Sequence, residues 1–127
     1  MPSPAPNFLL LYVADPPASA RFYETLLGQP PVEASPTFAL LALESGLMLG
    51  LWRRDTVQPV CDAAAQAGRH ELGIPVADEA AVNACHRHWT ALGLAILQPP
   101  TRMDFGFTFT ATDPDGHRLR VFAPQPA

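Results

Sequence analysis

The chain has 127 residues, of which 48% are hydrophobic and 16% charged, and its formal net charge is −4. That size fits one domain with a sizeable core, and the negative net charge, with both signs spread along the chain and no basic run, argues against nucleic acid as a partner, since a phosphate backbone demands clustered Lys and Arg. No apolar run approaches the roughly 20 residues that span a bilayer, MPSPAPN lacks the parts of an export signal, and Cys61 and Cys85 fall in no metal or redox spacing, so a reduced, cytoplasmic protein without a membrane partner is expected.

After the Pro-rich N-terminal arm, FLLLYVAD (8–15) is a strand-length apolar run that closes on Asp15, a helix-starting residue. PPASARFYETLLG follows, with prolines in its first turn, Ala20, Tyr23, Leu26 and Leu27 at helical spacing, and Gly28 as the stop. Three strand-like segments come next, at about 29–33, 36–43 and 47–53, with the turn ESG (44–46) before the last. A connection near 54–69 holds an Ala-rich piece (63–67) that reads as a short helix. The order then repeats. ELGIPVAD (71–78) closes on Asp78, and EAAVNACHRHWTALG places Val82, Cys85, Trp89 and Leu92 on one helical face before Gly93. Strand-like segments follow at about 94–98, 105–112 and 117–123, with the turn PDG (114–116) matching ESG. The expected organisation is one domain over 1–127 built from two βαβββ units: module one at about 7–54, a linker at 55–69 and module two at 70–124. Duplication lets two units bury faces that one alone cannot, and it specifies architecture without specifying chemistry.

LLLYVADPPASARFYETLLG, the second GIPVAD and DPDGHRLRVF together resemble the vicinal oxygen chelate superfamily over nearly the whole chain, from Phe8 to Pro124. That group includes glyoxalase I, the extradiol dioxygenases, the fosfomycin-resistance enzymes and the bleomycin-resistance proteins. The resemblance implies an α+β fold in which two βαβββ modules form an open, cupped mixed sheet with helices on the outer face, paired in a homodimer whose modules can swap between chains. It also implies one metal ligand on the first and last strand of each module. These positions fall here on Phe8, Gly50, Glu71 and Arg120. Phenylalanine and glycine offer no side-chain donor, arginine is a permanent cation, and one carboxylate does not make a metal site. His70 is one residue out of step with Glu71 and points to the other face. No metal ligand, cofactor or catalytic residue is therefore assigned. The non-catalytic branch uses such a cup to hold drugs, and LGLWRRD, HELGIPV, MDFGFTFTATDPDGHRLRV and Arg120 resemble phenazine-antibiotic-resistance proteins.

Alternation places Phe8, Leu10 and Tyr12, then Met48, Gly50 and Trp52, then Glu71, Gly73 and Pro75, then Arg118, Arg120 and Phe122 on the face of the lost ligands. Gly50 and Gly73 are expected to leave volume there. The expected ligand-binding set is Phe8, Tyr12, Phe38, Met48, Trp52, Glu71, Asp104, Phe105, Arg118 and Arg120. Tyr12 and Trp52 offer π-faces to a flat ring, and Arg118 or Arg120 a cation to its carboxylate. The expected function is non-catalytic sequestration of a planar, anionic aromatic such as a phenazine-type antibiotic. Two alternatives stay open. One is a lyase or dioxygenase-type enzyme with an atypical or absent metal site, which a one-residue register slip bringing His70 inward would favour. The other is a scaffold module whose own side chains fill the cup.

The same residues carry plainer readings. Glu71 and Arg120 read equally as a pair that neutralises itself, and Trp52 as an interface residue. Phe105, Phe107 and Phe109 alternate onto a single face, and Phe107 and Phe109, like Trp89, suit a core beneath a helix. His86 and His88, two apart on a helix, do not face each other. Asp104 either accepts a ligand hydrogen bond or bends the chain. His117 reads as a surface turn residue, and Asp113 and Asp115 as turn formers.

Overall fold

A computed structural model describes residues 5–62, 67 and 69–124. The Ala-rich piece expected as a short helix lies, except for Ala67, outside the described residues. The chain divides into two compact units, Met1–Ala65 and Gln66–Ala127. Unit one runs β1 (Phe8–Val13), α1 (Pro16–Leu27), β2 (Glu33–Ala34), β3 (Phe38–Ala42) and β4 (Met48–Arg53), then a 3-10 turn at Arg54–Thr56. Unit two runs β5 (Glu71–Pro75), α2 (Glu79–Ala91), β6 (Ala95–Met103), β7 (Gly106–Thr112) and β8 (Arg118–Pro124). Each is a four-stranded mixed sheet with one helix, and the strand orders β1-β4-β3-β2 and β5-β8-β7-β6 are the same order twice. In both, the first strand lies parallel to the last and the other pairings are antiparallel. The fold class is α+β, as expected.

Both helices begin in the same way. The Asp15 carboxylate accepts from the Ala18 N–H at 3.2 Å, and the Asp78 carboxylate accepts from the Ala81 N–H at 2.8 Å. Each thereby satisfies a backbone donor that the first helical turn leaves open. Pro16 and Pro17 occupy the first two positions of α1, where a missing N–H costs nothing. α1 packs across β2, β3 and β4, and α2 across β6, β7 and β8. The buried layer of unit one is Leu11, Val13, Ala20, Tyr23, Ala39, Leu41, Leu49 and Leu51, and that of unit two includes Leu72, Val82, Trp89, Phe109, Ala111, Leu119 and Val121. Along every strand these alternate with the residues of the opposite, open face. Trp89 and Phe109 meet edge-to-face at 5.3 Å between centroids, so both are core, as expected.

The structure corrects several expectations. The segment expected at 29–33 contributes only Glu33–Ala34 to the sheet, because Pro30 and Pro31 cannot donate to a ladder. The segment expected at 94–98 extends to Met103, with register shifts on either side of Gln98, around Leu97 and around Pro99-Pro100. Leu92 is exposed and does not share the buried face of Val82 and Trp89, because α2 ends at Ala91 and Leu92 caps it. His117 is buried, not a surface residue. The Asp113 carboxylate accepts from the Asp115 and His117 N–H groups at 2.9 and 2.8 Å, which draws the turn inward and sets the two His rings, His70 and His117, 5.3 Å apart. Among the described residues no helix is long and apolar enough to cross a membrane.

Candidate functional site

The two open faces are built on one lattice. In unit one Phe8 pairs with Met48, Leu10 with Gly50 and Tyr12 with Trp52. In unit two Glu71 pairs with Arg118, Gly73 with Arg120 and Pro75 with Phe122. The parallel pairing of first and last strand therefore brings Phe8, Tyr12, Met48 and Trp52 together on the open face of one sheet and Glu71, Arg118 and Arg120 on that of the other, whereas Phe38 comes from β3 and Asp104 and Phe105 from the turn before β7.

On the face of unit one, Phe8, Leu10 and Tyr12 are exposed, and Phe38, Met48 and Trp52 half-buried. Tyr12 and Trp52 meet edge-to-face, with centroids 6.2 Å apart and planes at 86°. Phe38 stands beside Trp52 on the neighbouring strand. The expectation that Gly50 leaves free volume is corrected. A Cβ at Gly50 would collide with the tip of Leu10 and come within 3.2 Å of the Phe38 ring, so these two side chains already occupy the space. Phe8, Leu10, Phe38 and Met48 are apolar, the Tyr12 hydroxyl and the Trp52 N–H add polar atoms, and Glu33, paired with Leu40 on the edge strand, places one carboxylate on the same face.

The face of unit two is organised by Arg120. Its Nε and Nη2 donate to the two Glu71 oxygens, each at 2.8 Å, in a planar two-point contact. Its Nη1 donates to Gln98 Oε1 at 3.2 Å and Thr108 Oγ1 at 3.3 Å. Thr108, fully buried, donates its own O–H to the Val121 carbonyl at 2.8 Å, so its oxygen is left to accept from the guanidinium. Thr110 donates to Gln98 Oε1 at 3.4 Å. The guanidinium also lies 5.7 Å from the centre of the Phe105 ring, and Phe105 meets Phe122 edge-to-face at 6.4 Å. The hydrogen bonds from Arg120, followed by its charge and that of Arg118, hold the Glu71 carboxyl below its usual range despite partial desolvation. The same bonds push Arg120 up. Arg118 is exposed and forms no ion pair among the described residues. Gly73 is exposed, and an added Cβ would only touch Phe122 at 3.5 Å.

The three phenylalanines of DFGFTFT do not share one face, contrary to expectation. Phe109 packs under α2, and Phe107 takes the Arg102 guanidinium 5.6 Å from its ring centre on the same side. Phe105 precedes the strand. Gly106, with φ of 148°, turns the chain between them and sends Phe105 toward Arg120 and Phe122. Asp104 is exposed in the same tight turn.

The metal positions of the family can be tested against these residues. Phe8 and Gly50 bring no donor atom, and the Glu71 carboxylate is taken up at both oxygens by Arg120, which occupies the fourth position as a cation. Among the described residues no group of three or more His, Cys, Asp or Glu is placed to hold a metal ion. The residues present do not fit the family's metal.

Reading the sequence alone missed Gln98, Thr108 and Thr110. The first shift in β6 breaks the alternation that would have assigned Gln98 a face, and the threonines look like ordinary strand residues until the pairing of β7 with Arg120 is known.

The model of the Glyoxalase/Bleomycin resistance protein/Dioxygenase superfamily matches residues 5–121. The chain belongs to that superfamily. It is 27% identical, over 94% of its length and 92% of the relative's, to the phenazine antibiotic resistance protein EhpR of Enterobacter agglomerans. Among solved structures, a protein of Agrobacterium tumefaciens determined by solution NMR is 50% identical, with a TM-score of 0.88 over 98% of this chain and 100% of that one. A glyoxalase-related enzyme of Fulvimarina pelagi is 26% identical, with a TM-score of 0.80 over 94% of this chain and 87% of that one.

Proposed function

We propose that this protein binds and sequesters a planar, acid-bearing aromatic molecule of the phenazine type, without transforming it, and so confers resistance. The observation that carries the reading is the Glu71–Arg120 pair. Where the family's enzymes hold a metal with two strands of a module, this chain closes the two positions on each other. What remains around them is binding chemistry: the exposed Phe105 ring for stacking, Arg118 as a cation for a carboxylate, and hydrogen-bonding groups beside them. The open face of unit one, taken by itself, offers Phe8, Tyr12, Phe38 and Trp52 as aromatic rings beside Met48, and in unit two Asp104 stands at the turn next to Phe105. The similarity to a protein named for phenazine resistance supports the ligand class. A homodimer in the cytoplasm, without nucleic acid or membrane, completes the reading. The exposed Phe8, Leu10 and Tyr12 favour self-association, which sedimentation of the purified protein tests.

The deciding experiment pairs metal analysis of the purified protein with tryptophan fluorescence during titration of phenazine-1-carboxylate. Saturable quenching, no turnover and no stoichiometric metal are expected. Stoichiometric Zn, Ni or Fe would revive a second reading, an enzyme of the superfamily with an atypical metal site, which the description of the Fulvimarina relative as an enzyme favours. Recovery of chemically altered phenazine after incubation would overturn sequestration.

A further inference from the structure

Gln98 ends in two chemically opposite groups, a carbonyl oxygen that accepts and an NH2 that donates. Which of them faces outward is normally free to vary. Here it is not. A guanidinium carries only donors, so the side of the amide that meets Arg120 must be the oxygen. Gln98 Oε1 accepts from Arg120 Nη1 at 3.2 Å and from Thr110 Oγ1 at 3.4 Å. Thr110 is buried and Arg120 is fixed by its two bonds to Glu71, so neither partner can swing away. The NH2 is thereby turned away from the network. One of its hydrogens meets the Met103 sulfur at 3.4 Å, a weak acceptor, and the other has no partner among the described residues. A polarised donor is thus held in a fixed direction by Arg120, whose guanidinium also lies 5.7 Å from the centre of the exposed Phe105 ring.

We infer that Gln98 is a specificity-determining residue whose NH2 donates a hydrogen bond to a neutral acceptor on the ligand's ring system, a ring nitrogen or ring carbonyl, with Arg120 as its positioning residue. This rests on the sequestration reading and deepens it. A carboxylate is the poorer occupant of this spot, because the Glu71 carboxylate lies across the same guanidinium and opposes a second anion. Arg118, on β8 at the register position opposite Glu71, takes the acid instead. The selected ligand is then an aromatic with two separate features, a neutral acceptor at the ring and an acid beyond it. A site built around an outward donor rejects the analogue that lacks the acceptor, since the donor is then left unpaired.

The test compares phenazine-1-carboxylate with anthracene-1-carboxylate, which has the same outline and acid but C–H in place of ring nitrogen. The wild-type protein should prefer the phenazine by about 5- to 10-fold, the yield of one well-placed hydrogen bond. Gln98→Glu keeps an oxygen for Arg120 and Thr110 and replaces the NH2 donor by a second, anionic oxygen. It should abolish the preference, bringing the two affinities together. Any general repulsion from the added charge acts on both acids and cancels in the ratio. Gln98→Leu, which adds no charge, should do the same. A preference that survives in both variants overturns the role of Gln98 and leaves sequestration standing. Loss of saturable binding for both acids in the wild-type protein overturns the sequestration reading and this inference together.

Discussion

The two units solve one geometric problem with opposite chemistry. Position for position, the open face of unit one pairs Phe8 with Met48, Leu10 with Gly50 and Tyr12 with Trp52, whereas that of unit two pairs Glu71 with Arg118, Gly73 with Arg120 and Pro75 with Phe122. In both, the middle pair joins a glycine to a large side chain, but the strands exchange roles. In unit one the last strand gives the glycine and Leu10 lies over it. In unit two the first strand gives the glycine and Arg120 stands on the strand beside it. A hydrophobic filler needs nothing but contact. A guanidinium needs acceptors for every N–H that leaves water, and unit two supplies them from three strands: Glu71 on β5, Gln98 on β6 and Thr108 on β7. The duplicated backbone therefore specifies where side chains meet, and the polar requirement of a single residue determines what its neighbours must be.

This contrast can be broken at several points. The largest effect is expected for Trp52→Ala, which should weaken phenazine-1-carboxylate binding by about 1–3 kcal/mol in a calorimetric titration, the range for a lost aromatic anchor. An unchanged affinity in a folded variant would confine the ligand to the polar face. Arg120→Met should destabilise by about 1–2 kcal/mol in urea unfolding, less than for a fully buried pair because the Glu71 side chain keeps 34% of its exposure. The double variant Glu71→Leu/Arg120→Met should recover much of that loss, because it gives unit two the apolar solution of unit one. A double variant less stable than the single one would show that the polar network is required for folding.

The pair also gives unit two an acid-sensitive component. The folded pKa of Glu71 lies below its ordinary value of 4.5. The stabilisation is therefore complete above that value and is lost as pH falls through the lowered folded pKa. Acid unfolding of the wild type should contain this contribution, and Arg120→Met should lack it. Smaller effects separate the two glycines. Gly50→Ala should cost about 1 kcal/mol by forcing Leu10 off its rotamer and crowding Phe38. Gly73→Ala, which meets only Phe122 at an ordinary contact distance, should change stability by less than about 0.5 kcal/mol.

The sequence by itself determined the duplicated βαβββ order, the two Asp-capped helices and the core positions Trp89 and Phe109. These are local matters: apolar period and capping chemistry are both carried by neighbours in the chain. Only the tertiary structure decided that Leu10 and Phe38 fill the space over Gly50, that Gly106 turns Phe105 away from Phe107 and Phe109, and that His117 is buried. It also brought in Gln98 and Thr108. Gln98 lies 22 residues before Arg120, on a strand whose alternation is broken by a register shift, and no pattern within either segment joins them. The physical reason is that a hydrogen bond depends on distance in space and on which face each side chain takes. Across strands, both are set by the register of pairing, which no single segment contains.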